Sequence, residues 1–335
     1  MKFLVFTLAF AALAGIFRLR RAAEPGSSPG ILFVANQFDH TANLIDLSSK
    51  KPVAKIGVDI NGHEVAVSPN GKVGYVPIYG NSGVGRPGTD GATVQVIDLK
   101  AARTIEVINL GKPVRPHCAK FGPDGLLYVS AELDNAIYIV DPATGKVVGH
   151  APTGDTESHM FVISPDGRRA YTANVGPGTV SVVDLEKRAV VTVIPVAQHV
   201  QRISISPDGK FVFTHDQGAP RIAVIDTSSN KVARWISLPA TVYSSTPTPD
   251  GHFLVANAPS GKLFVIDLSS EKVTGSYSIP EAIGEVAVDA SGEFAYVSCP
   301  QKGTIEVLSL KAGKLEAPIL MTPGVDGLVW LAALP

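Results

Sequence analysis

The sequence predicts an all-β chain folded as a seven-bladed β-propeller of four-stranded antiparallel blades, with the C-terminal strand closing the first blade. Three observations carry this expectation. The 335 residues include 32 glycines and 25 prolines, and both residue types oppose helix, glycine through entropy and proline through its missing N–H. One turn signal recurs, as Pro69-Asn70-Gly71, Pro123-Asp124-Gly125, Pro165-Asp166-Gly167, Pro207-Asp208-Gly209, Pro249-Asp250-Gly251 and Ala290-Ser291-Gly292, its glycines 54, 42, 42, 42 and 41 residues apart. Each interval holds short apolar segments of alternating pattern, which is the pattern of a propeller blade.

Strands A to D are named from the central channel outward, with A before the turn signal and B after it. Strand B is expected at Leu32 to Asn36, Val73 to Pro77, Leu127 to Ser130, Ala170 to Asn174, Phe211 to Thr214, Phe253 to Asn257 and Phe294 to Ser298. Strand C ends in Asp46, Asp98, Asp141, Asp184, Asp226 and Asp267, with Ser309 in the seventh place. These aspartates precede polar turns and read as side-chain caps on the backbone. Strand D follows, for example at Lys146 to His150 and Lys231 to Ile236. The chain thus starts on a strand B, and Asp326 to Trp330 is left over as the strand A that closes the ring and hides its edges.

The composition, 45% hydrophobic and 18% charged, excludes a disordered chain. A net charge of -1 with no basic cluster beyond the N-terminus argues against a nucleic-acid partner. Lys2 precedes an apolar run from Phe3 to Phe17, followed by Arg18, Arg20 and Arg21. As a helix this run would be about 22 Å long, short of a hydrocarbon core of roughly 30 Å. Residues 1–23 therefore read as a signal peptide or an N-terminal anchor, 24–30 as a linker and 31–335 as the propeller, with a periplasmic or secreted location. Export is the leading expectation; the arginines behind the run resist translocation and would suit an uncleaved anchor or a misassigned start codon. Cys118 and Cys299 fall in different blades and are expected to be free thiols, and no Cys-x-x-Cys-His is present for covalent haem.

The elements Phe33-Val-Ala-Asn36, Tyr171-Thr-Ala-Asn174 and Leu254-Val-Ala-Asn257, with Val-Ile-Asp at 96–98, 224–226 and 265–267, resemble the YVTN-repeat β-propeller family over residues 31–335. The resemblance implies the fold. It implies no single activity, because that family and its relatives span surface-layer proteins, lactonases and carboxymuconate cyclases, haem d1 propellers and dehydrogenase subunits.

Six residues before the proline of each turn lies the start of strand A, at the channel mouth. That position reads His63, His117, His159, Gln201 and Tyr243, then Gly284, then Asp326 or Gly327. His63, His117 and His159 are candidate ligands for a transition metal (copper, zinc or iron), since imidazoles on rigid strands can leave a coordination position open. Gln201, Tyr243, Glu285, Arg86 and Asp326 are candidate ligand-binding residues. For catalysis, His159 with Glu157, or His117 with Arg115, would supply a general acid or base. A metal-free polar pocket, or a rim with no ligand at all, explains the same pattern. The long B-to-C loop from Gly80 to Gly91 should overhang this mouth, bringing Asn81, Arg86 and Asp90. Cys118 should point away from His117 into the packing between blades, and Trp330 should pack within the closing strand. The expected partner is a small molecule or a protein at the mouth of a monomer, with no membrane contact beyond an N-terminal anchor. The leading function is a binding or scaffold propeller, and its rivals are a lactonase, cyclase or oxidoreductase and a protein-interaction platform.

Overall fold

The computed structural model describes residues 30–334; the expected signal or anchor segment and nearly all of the linker lie outside them. Among the described residues no helix is long and apolar enough to cross a membrane. Seven antiparallel sheets of four strands form the blades, and the innermost strands neighbour one another around a central channel. Those strands are Val325–Leu331 in blade 1, Ala66–Val67 in blade 2, Pro116–Phe121 in blade 3, Ser158–Ile163 in blade 4, Ile203–Ile205 in blade 5, Ser244–Pro247 in blade 6 and Val286–Val288 in blade 7.

The ring closes as the sequence leads one to expect. Val325–Leu331 pairs with Ile31–Asn36, with Leu32 opposite Trp330 and Val34 opposite Leu328. Blade 1 thus joins the two ends of the repeat array, and neither end keeps an open sheet edge. The outer strand of blade 7 alone is split, into Lys314–Leu315 and Ile319–Leu320. Pro318 sits in the gap, where its missing N–H cannot join a ladder.

The core lies between blades. Strands B are buried on both faces, as in Ile31–Asn36 and Leu127–Ala131, because each sheet is sandwiched by its neighbours, whereas strand D of blade 6, Lys272–Ser278, alternates exposed and half-buried. Phe33, Phe161, Phe213 and Phe264 are fully buried wedges, each contributing about 1.5–3 kcal/mol through apolar burial. Cys118 and Cys299 are buried free thiols in blades 3 and 7, and Cys118 packs with Phe161 and Tyr171.

The repeated turns are structural. Their glycines, Gly71 to Gly292, hold φ between 71° and 79°, a region that costs a Cβ-bearing residue energy. Asp166, Asp208 and Asp250 accept hydrogen bonds from the backbone N–H two residues on. The aspartates ending strand C do the same, as when Asp226 accepts from Ser228 and Ser229.

Candidate functional site

The starts of the seven inner strands converge at one end of the channel. In the three histidine-bearing blades the residue two before the histidine has a left-handed backbone: Asn61 at φ 60°, Arg115 at 51° and Glu157 at 55°. Such conformations are costly for residues with a Cβ and mark places where the fold imposes direction. Here they stand where the chain enters the inner strand, two residues before His63, His117 and His159.

The three imidazoles do come together, though not as one three-nitrogen shell. His63 Nε2 lies 2.6 Å from His117 Nε2. His63 Nδ1 faces two acceptors, Asn61 O at 3.2 Å and Asn61 Oδ1 at 2.9 Å, and the Asn61 amide is fixed by donating to Gly80 O. The proton of His63 therefore sits on Nδ1, and its Nε2 accepts from His117 Nε2–H. His117 Nδ1 is then a lone pair, buried and without a partner. Burial pushes the His63 pKa down to about 4 and, helped by the neighbouring histidines, holds His117 well below the usual imidazole range. Both are neutral at pH 7. His159 stacks on His117 with ring centroids 3.6 Å apart, and its Nδ1 lies 2.8 Å from Glu132 Oε2. Among the described residues, atoms of a kind able to ligate a metal lie within 4.8 Å of one another at His63, Glu64 and His117.

Glu132 replaces Glu157 as the partner of His159. It also accepts from Tyr79 Oη at 2.8 Å and faces Arg115 Nη1 at 3.4 Å. Burial alone would raise its pKa, but the bonds to His159 and Tyr79 and the Arg115 charge hold it low. Glu157 stays at the rim, accepting from Gly176 N–H. Arg115 turns away from His117 toward the long loop, where it binds Asp90, Gly83 O and Arg86 O. Arg86 thus contributes its carbonyl, while the residue itself is exposed. The loop overhangs the mouth as expected: a Cβ added to Gly85 would lie 3.2 Å from Glu157 Oε1, two blades away.

The other four blades bring charge. Arg202 Nη1 lies 2.6 Å from both Glu64 Oε1 and Glu285 Oε2, and its Nη2 lies 3.5 Å from Asp326 Oδ1. The Tyr243 ring centroid is 5.3 Å from its guanidinium. Burial opposes the Arg202 charge, but the surrounding carboxylates overcome it and hold its pKa above the ordinary range. Burial pushes Asp326 well above the usual carboxylate range and raises Glu285, against the pull of Arg202. Gln201, half-buried, is displaced from this centre by Arg202, and Gly284 contributes its carbonyl to Asn257 rather than a side chain.

The A-to-B pairing carries an irregularity at Pro116/Ala119 in blade 3 and at Ser158/Met160 in blade 4, whereas the blade 5 pairing is regular. Blade 6 is equally regular, yet its counted residue Tyr243 does reach Arg202, so the irregularity does not by itself set which residue faces the channel. Counting from the turn found His117 and His159 but missed Arg202. Glu132 was missed because it lies in the B-to-C connection, beyond the repeat pattern; its placement directly after Leu127–Ala131 was the one available signal.

Beneath this layer the channel widens into a cavity of about 430 Å³, bordered by Arg202 and Glu285 at one end and by Pro207 and Trp330 toward the Pro-Asp-Gly face. Trp330 therefore lines the channel as well as packing in the closing strand. A groove of about 550 Å³ between blades 6 and 7 lies among turn residues, including Asp250 and Lys311, far from these groups.

A family model described as "Lactonase, 7-bladed beta-propeller" matches residues 82–319. A solved structure described as Kuenenia stuttgartiensis hydrazine synthase superposes with a TM-score of 0.73 at 20% identity, over 90% of this chain and 100% of that one. At that identity the likeness is one of fold. No curated protein matches.

Proposed function

The chain belongs to the family of seven-bladed β-propeller lactonases, and we propose that it is an exported binding propeller holding a divalent transition metal at His63, Glu64 and His117. The observation that carries this reading is the approach of two neutral imidazoles and a carboxylate to within 4.8 Å of one another. Neutral imidazole is the form that ligates, so no proton need be expelled from a cationic ring. Zinc held tetrahedrally at 2.0–2.1 Å from nitrogen would set the two Nε2 atoms about 3.3 Å apart. Opening the present 2.6 Å contact to that distance is a side-chain adjustment, and His117 would then carry its proton on the now unpartnered Nδ1. The metal set differs from the three-histidine set that the sequence suggests, with Glu64 in place of His159.

Metal analysis of the purified protein tests this. Near-stoichiometric copper, zinc or iron is expected in the wild type and in His159→Ala, and loss is expected in the His63→Ala/His117→Ala double variant. Sub-stoichiometric metal in the wild type after supplementation with all three salts would sink the reading.

Lactone hydrolysis is the second reading, favoured by the family and by the His159–Glu132 contact. A carboxylate on Nδ1 fixes the ring so that Nε2 can take a proton from water. Water would add to the lactone carbonyl, the ring C–O bond would break, and the departing oxygen would leave as the hydroxyl of a hydroxy acid. Turnover of simple lactones that falls at least a hundredfold in His159→Ala and in Glu132→Gln supports it; unchanged kcat in both variants excludes it.

A further inference from the structure

The 430 Å³ cavity beneath the Arg202 layer is distinct in chemistry from the histidine cluster above it. Much of its wall is apolar, formed by Val162, Ile203, Val286, Val288 and Leu328. Its polar lining includes Lys120, Arg202, Ser204 and Trp330. Arg202 and Ser204 are 4% and 8% exposed, and Arg202 Nε, Ser204 Oγ and Trp330 Nε1 are all buried without a hydrogen-bond partner. Buried donors are rarely left without an acceptor. Glu285, the one carboxylate on the wall, is already engaged by Arg202 at 2.6 Å. Among the described residues Lys120 has no carboxylate within ion-pair distance, but Glu285 and Glu64 lie near enough to help hold its pKa up against burial, so its ammonium stays charged on the cavity wall.

We propose that this cavity binds a small organic acid, a monocarboxylate with an aliphatic body. The carboxylate supplies the acceptors that Lys120, Ser204 and the Arg202 Nε lack, and the body lies against the valine, isoleucine and leucine walls. The lining carries two cations, Lys120 and Arg202, against one carboxylate, Glu285, which favours a monoanion over a phosphate dianion. The apolar walls favour a carbon chain over a bare inorganic ion. None of its lining residues is a proposed metal ligand, although Arg202 on its wall pairs with Glu64, so the two sites touch through one guanidinium.

Calorimetric titration of the full chain with hexanoate, hexanamide and inorganic phosphate tests the proposal. Saturable hexanoate binding is expected, with hexanamide and phosphate each at least tenfold weaker. Lys120→Met should weaken hexanoate at least tenfold, about 1.4 kcal/mol, and Ser204→Ala by a few-fold. The Ser204 variant and the amide comparison decide the matter if Lys120→Met does not fold. Absence of saturable hexanoate binding in the wild type, or equal affinity for hexanoate and its amide, overturns the proposal. Hexanoate affinity should survive metal removal and the His63→Ala/His117→Ala substitution. Its loss there would move the carboxylate to the metal and overturn this site while leaving the metal reading intact.

Discussion

Blades 2 to 4 and blades 5 to 7 with blade 1 use the same end of their innermost strands for opposite chemistry. The first group presents His63, His117 and His159, imidazoles joined by stacking and one hydrogen bond, His63 and His117 being held neutral by burial. The second presents Arg202, Tyr243, Glu285 and Asp326, held by ion pairing around one guanidinium. Glu64, next to His63 but bound to Arg202, stitches the halves together. The difference teaches that burial acts differently on each: an imidazole answers desolvation by losing its proton, whereas a guanidinium cannot and must recruit carboxylates.

The largest effect should come from breaking the charged half. Arg202→Met leaves Glu64, Glu285 and Asp326 buried without their cation and should cost about 3–5 kcal/mol in urea unfolding at pH 7. A loss below about 1 kcal/mol would mean that the carboxylates hold protons and that ion pairing is not what organises this half.

Acid should expose the histidine chemistry of burial. His215, fully buried beside Ser245 Oγ at 2.7 Å, has its pKa lowered to about 3 by burial and by Arg202. Its folded pKa lies below the unfolded value, so its contribution is present above pH 6.5 and is lost as pH falls toward 3. His215→Gln should flatten the loss of stability between pH 7 and pH 4 by up to about 3 kcal/mol. Parallel pH curves for wild type and variant would rule this out.

A smaller cost, about 1–3 kcal/mol, is expected for Glu132→Gln, which leaves His159, Tyr79 and Arg115 facing an amide. Glu157→Gln should stay within about 0.5 kcal/mol, because that side chain accepts only the rim N–H of Gly176 among the contacts described. Thermal or urea unfolding of the pair decides between them. If Glu157→Gln costs more than Glu132→Gln, the assignment of His159 to Glu132 rather than to Glu157 fails.

Blade number, strand order, ring closure through Asp326 to Trp330 and the convergence of three histidines were all legible in the sequence. These follow from local periodicity, because a turn requiring positive φ at glycine and a two-residue alternation repeat wherever a blade repeats. Only the tertiary structure decided that Arg202 rather than Gln201, and Glu132 rather than Glu157, reach the centre. A count from the turn does not fix which of two neighbouring side chains at a strand start faces the channel, and a connection such as Glu132–Asp134 has no periodicity from which to predict its direction. The sequence alone thus determined which blades carry imidazole, and long-range packing across the channel decided which charges stand beside it.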